Sequence, residues 1–117
     1  MKLSILSDDG EIVRVSCEGQ ICQLVSHGNE PMANLLGPTG YSRKVLLNLE
    51  KTTFINSSGI SWLLICHKYF SQGGGQLVVY SVPPLVNQVL QFVRLPSIMN
   101  FAADEKAART VALGENS

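Results

Sequence analysis

The chain has 117 residues, of which 45% are hydrophobic and 15% charged, so it can bury one core and intrinsic disorder is not expected. Nine basic and nine acidic side chains give a formal net charge of zero. Such a chain has no long-range field for gripping a nucleic-acid backbone or an anionic lipid surface. No stretch approaches the ~20 apolar residues of a membrane span. We therefore expect a single domain over residues 1–117 that binds neither nucleic acid nor membrane.

The cysteine pattern indicates a reducing compartment. The three cysteines are odd in number and form no Cys-x-x-Cys pair, which predicts reduced and mostly buried thiols in a cytosolic protein. They are Cys17, Cys22 and Cys66. The two histidines are far apart and pair with no cysteine at zinc-finger spacing, so we expect no metal and no other cofactor. The N-terminal apolar run is too short for a signal peptide.

The first third of the chain predicts two short strands and one short helix. Residues 4–6 and 11–17 are rich in apolar and β-branched side chains, and the Asp-Asp-Gly sequence at 8–10 between them is a hairpin signal. From 26 to 43, several glycines and prolines leave room for only one short helix, at 31–36.

The middle of the chain predicts a buried strand followed by a helix. Residues 45–49 are nearly continuously apolar, which is typical of a central strand buried on both faces of a parallel or mixed sheet. Residues 60–72 contain neither Gly nor Pro, and the Asn-Ser-Ser-Gly sequence at 56–59 precedes them. Because Asn and Ser are favoured helix N-caps, the helix should begin at this motif. The three glycines at 73–75 should end it as a flexible connector.

The last third predicts an alternation of strands and helices. We expect a buried strand at 76–80, a helix from Pro84 to about residue 93, an edge strand at 98–101 and a helix at 104–112. Residues 113–117 should be frayed. Two strands followed by this alternation indicate an α/β fold with helices over a sheet.

The helix at 60–72 has a wider apolar arc than one contact with a sheet requires. Its narrow polar stripe consists of Ser61, Lys68 and Gln72. On a helical wheel, Leu63 and its neighbours form one apolar side, whereas Trp62, Ile65 and Tyr69 form another. The second side should pack on a neighbouring element or contact a partner, since Trp and Tyr are common in both settings.

The Asn56-Ser57-Ser58-Gly59 motif has two interpretations. It is a plain helix cap, or Ser57 at the exposed start of the helix accepts a phosphoryl group. A phosphate there would face the free N–H groups and the positive end of the helix dipole, so the fold would tolerate it. The sequence contains no paired carboxylates, no metal cluster and no nucleophile with a nearby base, so we do not expect an enzyme.

Four segments, taken in order, resemble the STAS family, specifically the bacterial anti-sigma-factor antagonists. These segments are 45–49, 56–60, 74–79 and Pro84. The resemblance implies a mixed β-sheet with helices packed mainly on one side. In that family the motif is usually Asp-Ser-Ser/Thr-Gly, and a switch kinase that is also an anti-sigma factor phosphorylates its first hydroxyl residue. The unphosphorylated domain binds that kinase and frees the sigma factor.

Carried over to this chain, the resemblance implies a cytoplasmic regulator of transcription with Ser57 as its phosphoacceptor. The residues expected to form the motif and the partner-binding surface are Asn56, Ser58, Gly59, Ser61, Trp62 and Ile65. Asn56 replaces the usual Asp, which keeps the cap but removes a carboxylate beside the acceptor. Two alternatives therefore stay open. One is a scaffold that is never phosphorylated, and the other is a small-molecule or lipid site around Trp62, Ile65 and Tyr69.

Overall fold

The computed structural model describes residues 2–21 and 31–114, and these residues form six strands, four α-helices and two short 3₁₀ turns. The strands are β1 (Lys2–Asp8), β2 (Ile12–Ile21), β3 (Lys44–Asn48), β4 (Thr52–Ile55), β5 (Gln76–Tyr80) and β6 (Asn100–Ala102). The helices are α1 (Pro31–Leu36), α2 (Ser57–Gln72), α3 (Pro84–Phe92) and α4 (Glu105–Leu113), and the 3₁₀ turns are Gly40–Ser42 and Leu95–Ser97.

The strands form one mixed sheet in the order β1-β2-β3-β5-β6, with β4 paired to β2. β1 and β2 are antiparallel and every other pair is parallel. The prediction of a central strand is confirmed, because β3 lies between β2 and β5 and its Val45, Leu46 and Leu47 side chains are fully buried. A strand covered on both faces has no polar face, which explains its continuous apolar run.

The helices lie mainly on one face of the sheet, as predicted. The larger core lies between this face and helices α1, α2 and α3, and it joins Val45 and Leu47 of β3 to Leu63 and Leu90 of the helices. The smaller core lies on the opposite face, beneath α4. It contains Ile12, Leu46, Val78, Tyr80, Ala108 and Ala112.

β4 was not predicted from the sequence, and it continues the sheet toward the start of α2. The first half of β2 pairs with β3, and its last residues pair with β4 after a register shift at Gly19, whose φ is +88°. The buried Thr52 hydroxyl donates a hydrogen bond of 3.0 Å to the carbonyl of Cys17. This bond fixes β4 beside β2 and places Ile55 opposite Ile21, one residue before Asn56.

The predicted edge strand at 98–101 is wrong in its first half. A 3₁₀ turn at Leu95–Ser97 carries the chain into a bend, and Ile98 is exposed instead of joining the sheet. Pro96 and the left-handed Arg94 (φ +59°) produce this turn. The strand itself begins at Asn100, which pairs with Val78 of β5.

The predicted frayed tail is also wrong at its first two residues. Helix α4 includes Leu113, which packs on the smaller core. Gly114 adopts a left-handed conformation (φ +69°) and donates its N–H to the carbonyl of Val111, which closes the helix end. Residues 115–117 lie outside the described residues.

The connector at 73–75 is a tight turn, in contrast to the flexible segment predicted. The N–H of Gly75 donates to the carbonyls of Phe70 (2.9 Å) and Tyr41 (3.0 Å). A Cβ at Gly73 would lie 2.6 Å from the Tyr41 carbonyl oxygen. The glycines are needed because the α2–β5 turn packs against the backbone that leads into β3.

Ion pairs hold the β1–β2 hairpin to its surroundings. Arg43, which precedes β3, binds the carboxylate of Asp8 through both terminal nitrogens. Arg109 of α4 lies 3.6 Å from Asp9, and Arg14 of β2 pairs with Glu105 at the start of α4. The hydrogen bond from Arg43 and that from the Gly10 N–H lower the pKa of Asp8 from 3.8 to about 2.

Replacing Asp8 with Asn should weaken the dependence of stability on pH in acid. A carboxylate whose pKa is lower in the folded state stabilises the fold above its unfolded pKa, and this contribution is lost as the pH falls from about 4 to about 2. We expect the urea midpoint of Asp8→Asn to fall less steeply than that of the wild type in this range. Asp9, whose pKa is also lowered, should retain part of the slope. Glu50→Gln, at an exposed turn, is the matched control, and equal slopes for Asp8→Asn and the wild type would contradict the assignment.

Candidate functional site

The predicted helix cap is present at the junction of β4 and α2. Asn56 has extended backbone angles (φ −114°, ψ −174°), and its side-chain oxygen accepts a hydrogen bond of 3.0 Å from the N–H of Gly59. Its carbonyl accepts the first helical bond from Ile60, at 2.9 Å. The Asn side chain therefore satisfies one of the free N–H groups of the first turn.

Gly59 is the point at which the helix contacts the sheet. A Cβ at this position would overlap the carbonyl oxygen of Ile21 and lie 2.8 Å from Cγ1 of Ile55. The same Ile21 carbonyl accepts a hydrogen bond of 3.3 Å from the N–H of Asn56. The end of β2 thus packs on the first turn of α2, which requires a residue without a side chain. The sequence motif contains this glycine, but its steric role is visible only once β2 and α2 are adjacent.

Ser57 is the first residue of α2 and is exposed, whereas Ser58 is half-buried. Within the described residues, neither hydroxyl has a hydrogen-bond partner, and the backbone N–H groups of both residues are also unpaired. The first turn of α2 contains no acidic side chain. No carboxylate in the first turn therefore neutralises the positive end of the α2 helix dipole.

The outward face of α2 extends from Ser57 along the helix. Ser61 is exposed one turn further on, and Ile65, which is half-buried, follows at the same spacing. The polar stripe predicted from the helical wheel is confirmed, since Ser61, Lys68 and Gln72 are all exposed. Ser57, Ser61 and Ile65 form one continuous line that a partner could contact, because residues four apart share a helix face.

Trp62 does not belong to that surface, which corrects the sequence-based assignment. Its side chain is 0% exposed and forms part of the larger core. The buried side of α2 consists of Gly59, Trp62, Leu63, Cys66 and Phe70. Because Gly59 faces β2, the residue three positions later also faces the sheet, and Trp62 becomes the largest buried side chain of the domain.

The second apolar side of α2 is covered by the protein itself. The ring of Tyr69 packs on that of Tyr41 in the first 3₁₀ turn, with a centroid distance of 5.2 Å, and Tyr41 also meets Phe70 edge to face. The excess apolar arc is thus explained by a neighbouring element. It also follows that Trp62 cannot line a surface pocket between Ile65 and Tyr69, as the lipid-site alternative required.

Residues 2–21 and 31–114 contain neither a metal-binding cluster nor a membrane-spanning helix. No group of three or more His, Cys, Asp or Glu side chains there could hold a metal ion. None of the helices described is long and apolar enough to cross a membrane. Cys17 and Cys66 are buried, as predicted, and burial raises the pKa of the Cys17 thiol. Cys22 lies outside the described residues.

The sheet order, the helices on its two faces and the capped start of α2 define a small mixed α/β domain with an exposed strand-to-helix junction. A model of the STAS domain family matches residues 6–108, and the chain belongs to this family.

Solved structures confirm the fold. The anti-sigma factor antagonist SpoIIAA in its unphosphorylated form is 18% identical, with a TM-score of 0.63 over 97% of this chain and 99% of that one. A candidate anti-sigma factor antagonist from Thermotoga maritima is 17% identical, with a TM-score of 0.67 over 96% and 93%. An anti-sigma factor antagonist from Mycobacterium paratuberculosis is 16% identical, with a TM-score of 0.67 over 96% and 95%.

Replacing Gly59 with Ala should destabilise the domain strongly. The added methyl group would overlap the Ile21 backbone, which cannot rotate away as a side chain could, so we expect a loss of about 3 kcal/mol in the free energy of unfolding, the upper end of the usual range for overpacking. Urea denaturation followed by circular dichroism would measure it. Ser58→Ala, in the same turn, is the control and should change stability by less than about 0.5 kcal/mol. A Gly59→Ala variant as stable as this control would contradict the close contact.

Asn56 should contribute to stability through its cap. Asn56→Ala removes the acceptor for the Gly59 N–H and should cost about 1 kcal/mol. Asn56→Asp keeps the acceptor and adds a negative charge at the positive end of α2, so it should be at least as stable as the wild type at neutral pH. Thermal unfolding of the three proteins would test this order, and equal stability of the Ala and Asp variants would refute the cap.

Proposed function

We propose that the chain is a non-enzymatic regulatory domain that binds a protein partner and is switched by phosphorylation of Ser57. The proposed partner is a Ser/Thr switch kinase that also acts as an anti-sigma factor. Membership of the STAS family and the fold shared with anti-sigma factor antagonists support a role of this kind. Its setting would be the bacterial cytoplasm, where it would regulate transcription without a cofactor.

The position of Ser57 carries the proposal. Its exposed hydroxyl stands at the first residue of α2, within reach of another protein, and forms no hydrogen bond within the described residues. The unpaired N–H groups of Ser57 and Ser58 provide donors for phosphate oxygens without any rearrangement of the helix. The absence of an acidic residue from the first turn avoids repulsion of the added charge.

The chemistry requires only a hydroxyl from this chain. Oγ of Ser57 would attack the γ-phosphorus of ATP held by the kinase, the bond from that phosphorus to the bridging oxygen would break, and ADP would leave. The hydroxyl proton would pass to a base on the kinase. Asn56 cannot act as this base because an amide does not accept a proton at neutral pH. Asn56 would instead hold the first turn in place.

The added phosphate would change the surface far more than the fold. It adds a charge of about −2 to a chain whose formal net charge is zero. This charge would stand at one end of the line formed by Ser57, Ser61 and Ile65. A kinase that binds this line in the unphosphorylated state would then lose contacts at the serine and have to accommodate a doubly charged group. The unphosphorylated domain is therefore the binding form.

Incubation with a candidate switch kinase and Mg·ATP should add one phosphate. Ser57→Ala should abolish the modification, whereas Ser58→Ala, which alters the adjacent hydroxyl, should retain it. Intact-mass and phosphopeptide spectrometry would measure both. A phosphate found elsewhere, with Ser57 unmodified, would contradict the site assignment.

The effect on binding can be measured separately. Ser57→Asp should weaken binding of the kinase at least about tenfold by calorimetry, since a buried or neighbouring unpaired charge costs more than 1.4 kcal/mol. Val111→Ser, on α4 over the other face of the sheet, should bind as the wild type does. Unchanged affinity of Ser57→Asp would argue against the switch even if Ser57 is phosphorylated.

A second candidate function is a scaffold that binds signalling proteins and is never phosphorylated. Asn56 favours it, because the carboxylate that usually precedes the acceptor is replaced by an amide. The two functions differ in one observable. If the domain is a switch, part of the protein isolated from its native cells would be heavier by the mass of one phosphoryl group. If it is a scaffold, no such fraction would be found.

A further inference from the structure

An apolar stripe covers the outward face of α3. The inward side chains Val86 and Leu90 belong to the larger core, as expected for a helix packed on a sheet. The opposite face carries the exposed Gln88, but most of its exposed surface is apolar. Leu85 is 73% exposed, Val89 36% and Phe92 89%, and these residues follow one another at helical spacing on one side.

The stripe continues onto β4. Phe54, which is 43% exposed, joins Leu85 and Val89 in lining an open groove of about 320 Å³ between β4 and α3. At ~200 Å² for a large apolar side chain, the four residues together expose about 480 Å². A patch of this size is comparable to the largest apolar patch on a typical monomer, which is often functional.

The patch is also free of charge. Residues 81–93 contain no Lys, Arg, Asp or Glu, although surface helices normally carry such residues. The groove is likewise lined only by neutral side chains. A membrane-surface helix would carry Lys or Arg along its polar edge, so this composition disfavours a lipid surface. A charged partner would find no complementary group here.

We propose that this face is a homodimer interface, formed by α3 of one copy against α3 of a second copy of the chain. A two-fold interface brings the same patch of each copy together, so it must complement itself. A neutral patch on a chain of zero net charge meets its own copy without repulsion. The patch also carries both a protrusion and a groove, since Phe92 projects from one end and the groove beside Leu85 lies at the other.

The geometry sets the register of the dimer. Leu85 and Phe92 are seven residues apart, which is about 10 Å along a helix, and Val89 lies between them. If the two α3 helices run antiparallel, Val89 meets its own copy at the two-fold axis. Phe92 of each copy then enters the groove formed by Phe54 and Leu85 of the other.

The small area of the patch indicates a weak dimer. About 480 Å² per copy is roughly 60% of the ~800 Å² per partner that a standard stable interface buries. The dimer should therefore be weak and reversible, as expected of the small interfaces of transient complexes.

Sedimentation velocity and multi-angle light scattering between about 1 and 500 µM would test the proposal. The wild type should change from monomer to dimer over this range. Phe92→Ser should raise the dissociation constant at least about tenfold, because it removes the most exposed member of the patch. Val111→Ser is the matched control, since Val111 is exposed on α4, which covers the other face of the sheet, and this variant should dimerise as the wild type does.

Cysteine cross-linking would test the register. In a Cys22→Ser background, Val89→Cys should form a disulfide-linked dimer on oxidation, because the two Cα atoms lie near the axis. Leu85→Cys should not, since its two copies would be separated by about 12 Å along the helices, beyond the ~7 Å that a disulfide spans. Circular dichroism would confirm that each variant is folded.

A monomer at every concentration would overturn the proposal, as would a dimer that Phe92→Ser does not weaken. If the protein stays monomeric and Phe92→Ser reduces binding of the switch kinase, the face belongs to that partner and the dimer is again refuted. None of these outcomes depends on whether Ser57 is phosphorylated, so the two proposals can fail independently.

Discussion

The arrangement of this domain depends on the close contact between the first turn of α2 and the end of β2. Gly59 allows the backbone of the helix to approach the carbonyl of Ile21, and no other residue type would fit there without displacing one of the two elements. The same carbonyl accepts a hydrogen bond from the N–H of Asn56, so the turn is held by this bond as well as by close packing. Because β4 is fixed to β2 by Thr52, the strand, the cap and the helix form one rigid junction.

This contact also decides which side chains of α2 can meet another protein. Once Gly59 faces the sheet, helical geometry turns Trp62 and Cys66 inward and leaves Ser57 and Ser61 outside. The exposed serine is therefore positioned by backbone packing and not by its own contacts. A site of this kind can gain or lose a charged group without disturbing the core, since the residues that position it lie on the opposite side of the helix.

The sequence predicted the elements whose identity is determined locally. β3 has a continuous apolar run, α2 and α4 have capping residues, and α3 begins at Pro84, so each could be placed within a few residues. β4 was missed because its four residues have no strand periodicity and are held by the distant Cys17 carbonyl. The start of β6 was misplaced because Ile98 looks like a strand residue, and only the turn at Arg94 and Pro96 shows that it points to solvent.

In the candidate site too, local features could be predicted from the sequence, whereas features fixed by distant contacts could not. The cap at Asn56 and the exposure of Ser57 could be anticipated from the motif, because capping is a local property of the chain. The burial of Trp62 could not, since both apolar sides of α2 were equally suited to a core. The second side is covered by Tyr41, which lies in a segment rich in Gly and Pro with little periodicity of its own.

The two proposed surfaces differ in the forces that they would use. The line from Ser57 would act through charge. At physiological ionic strength, salt limits the range of such an interaction to about 8 Å, and more salt shortens it further. The stripe on α3 has no charge to screen and would act through apolar burial, which excluded salts such as sulfate strengthen. Raising the concentration of such a salt should therefore weaken the discrimination between phosphorylated and unphosphorylated forms while it favours self-association. Opposite responses of this kind would identify two physically distinct surfaces on one small domain.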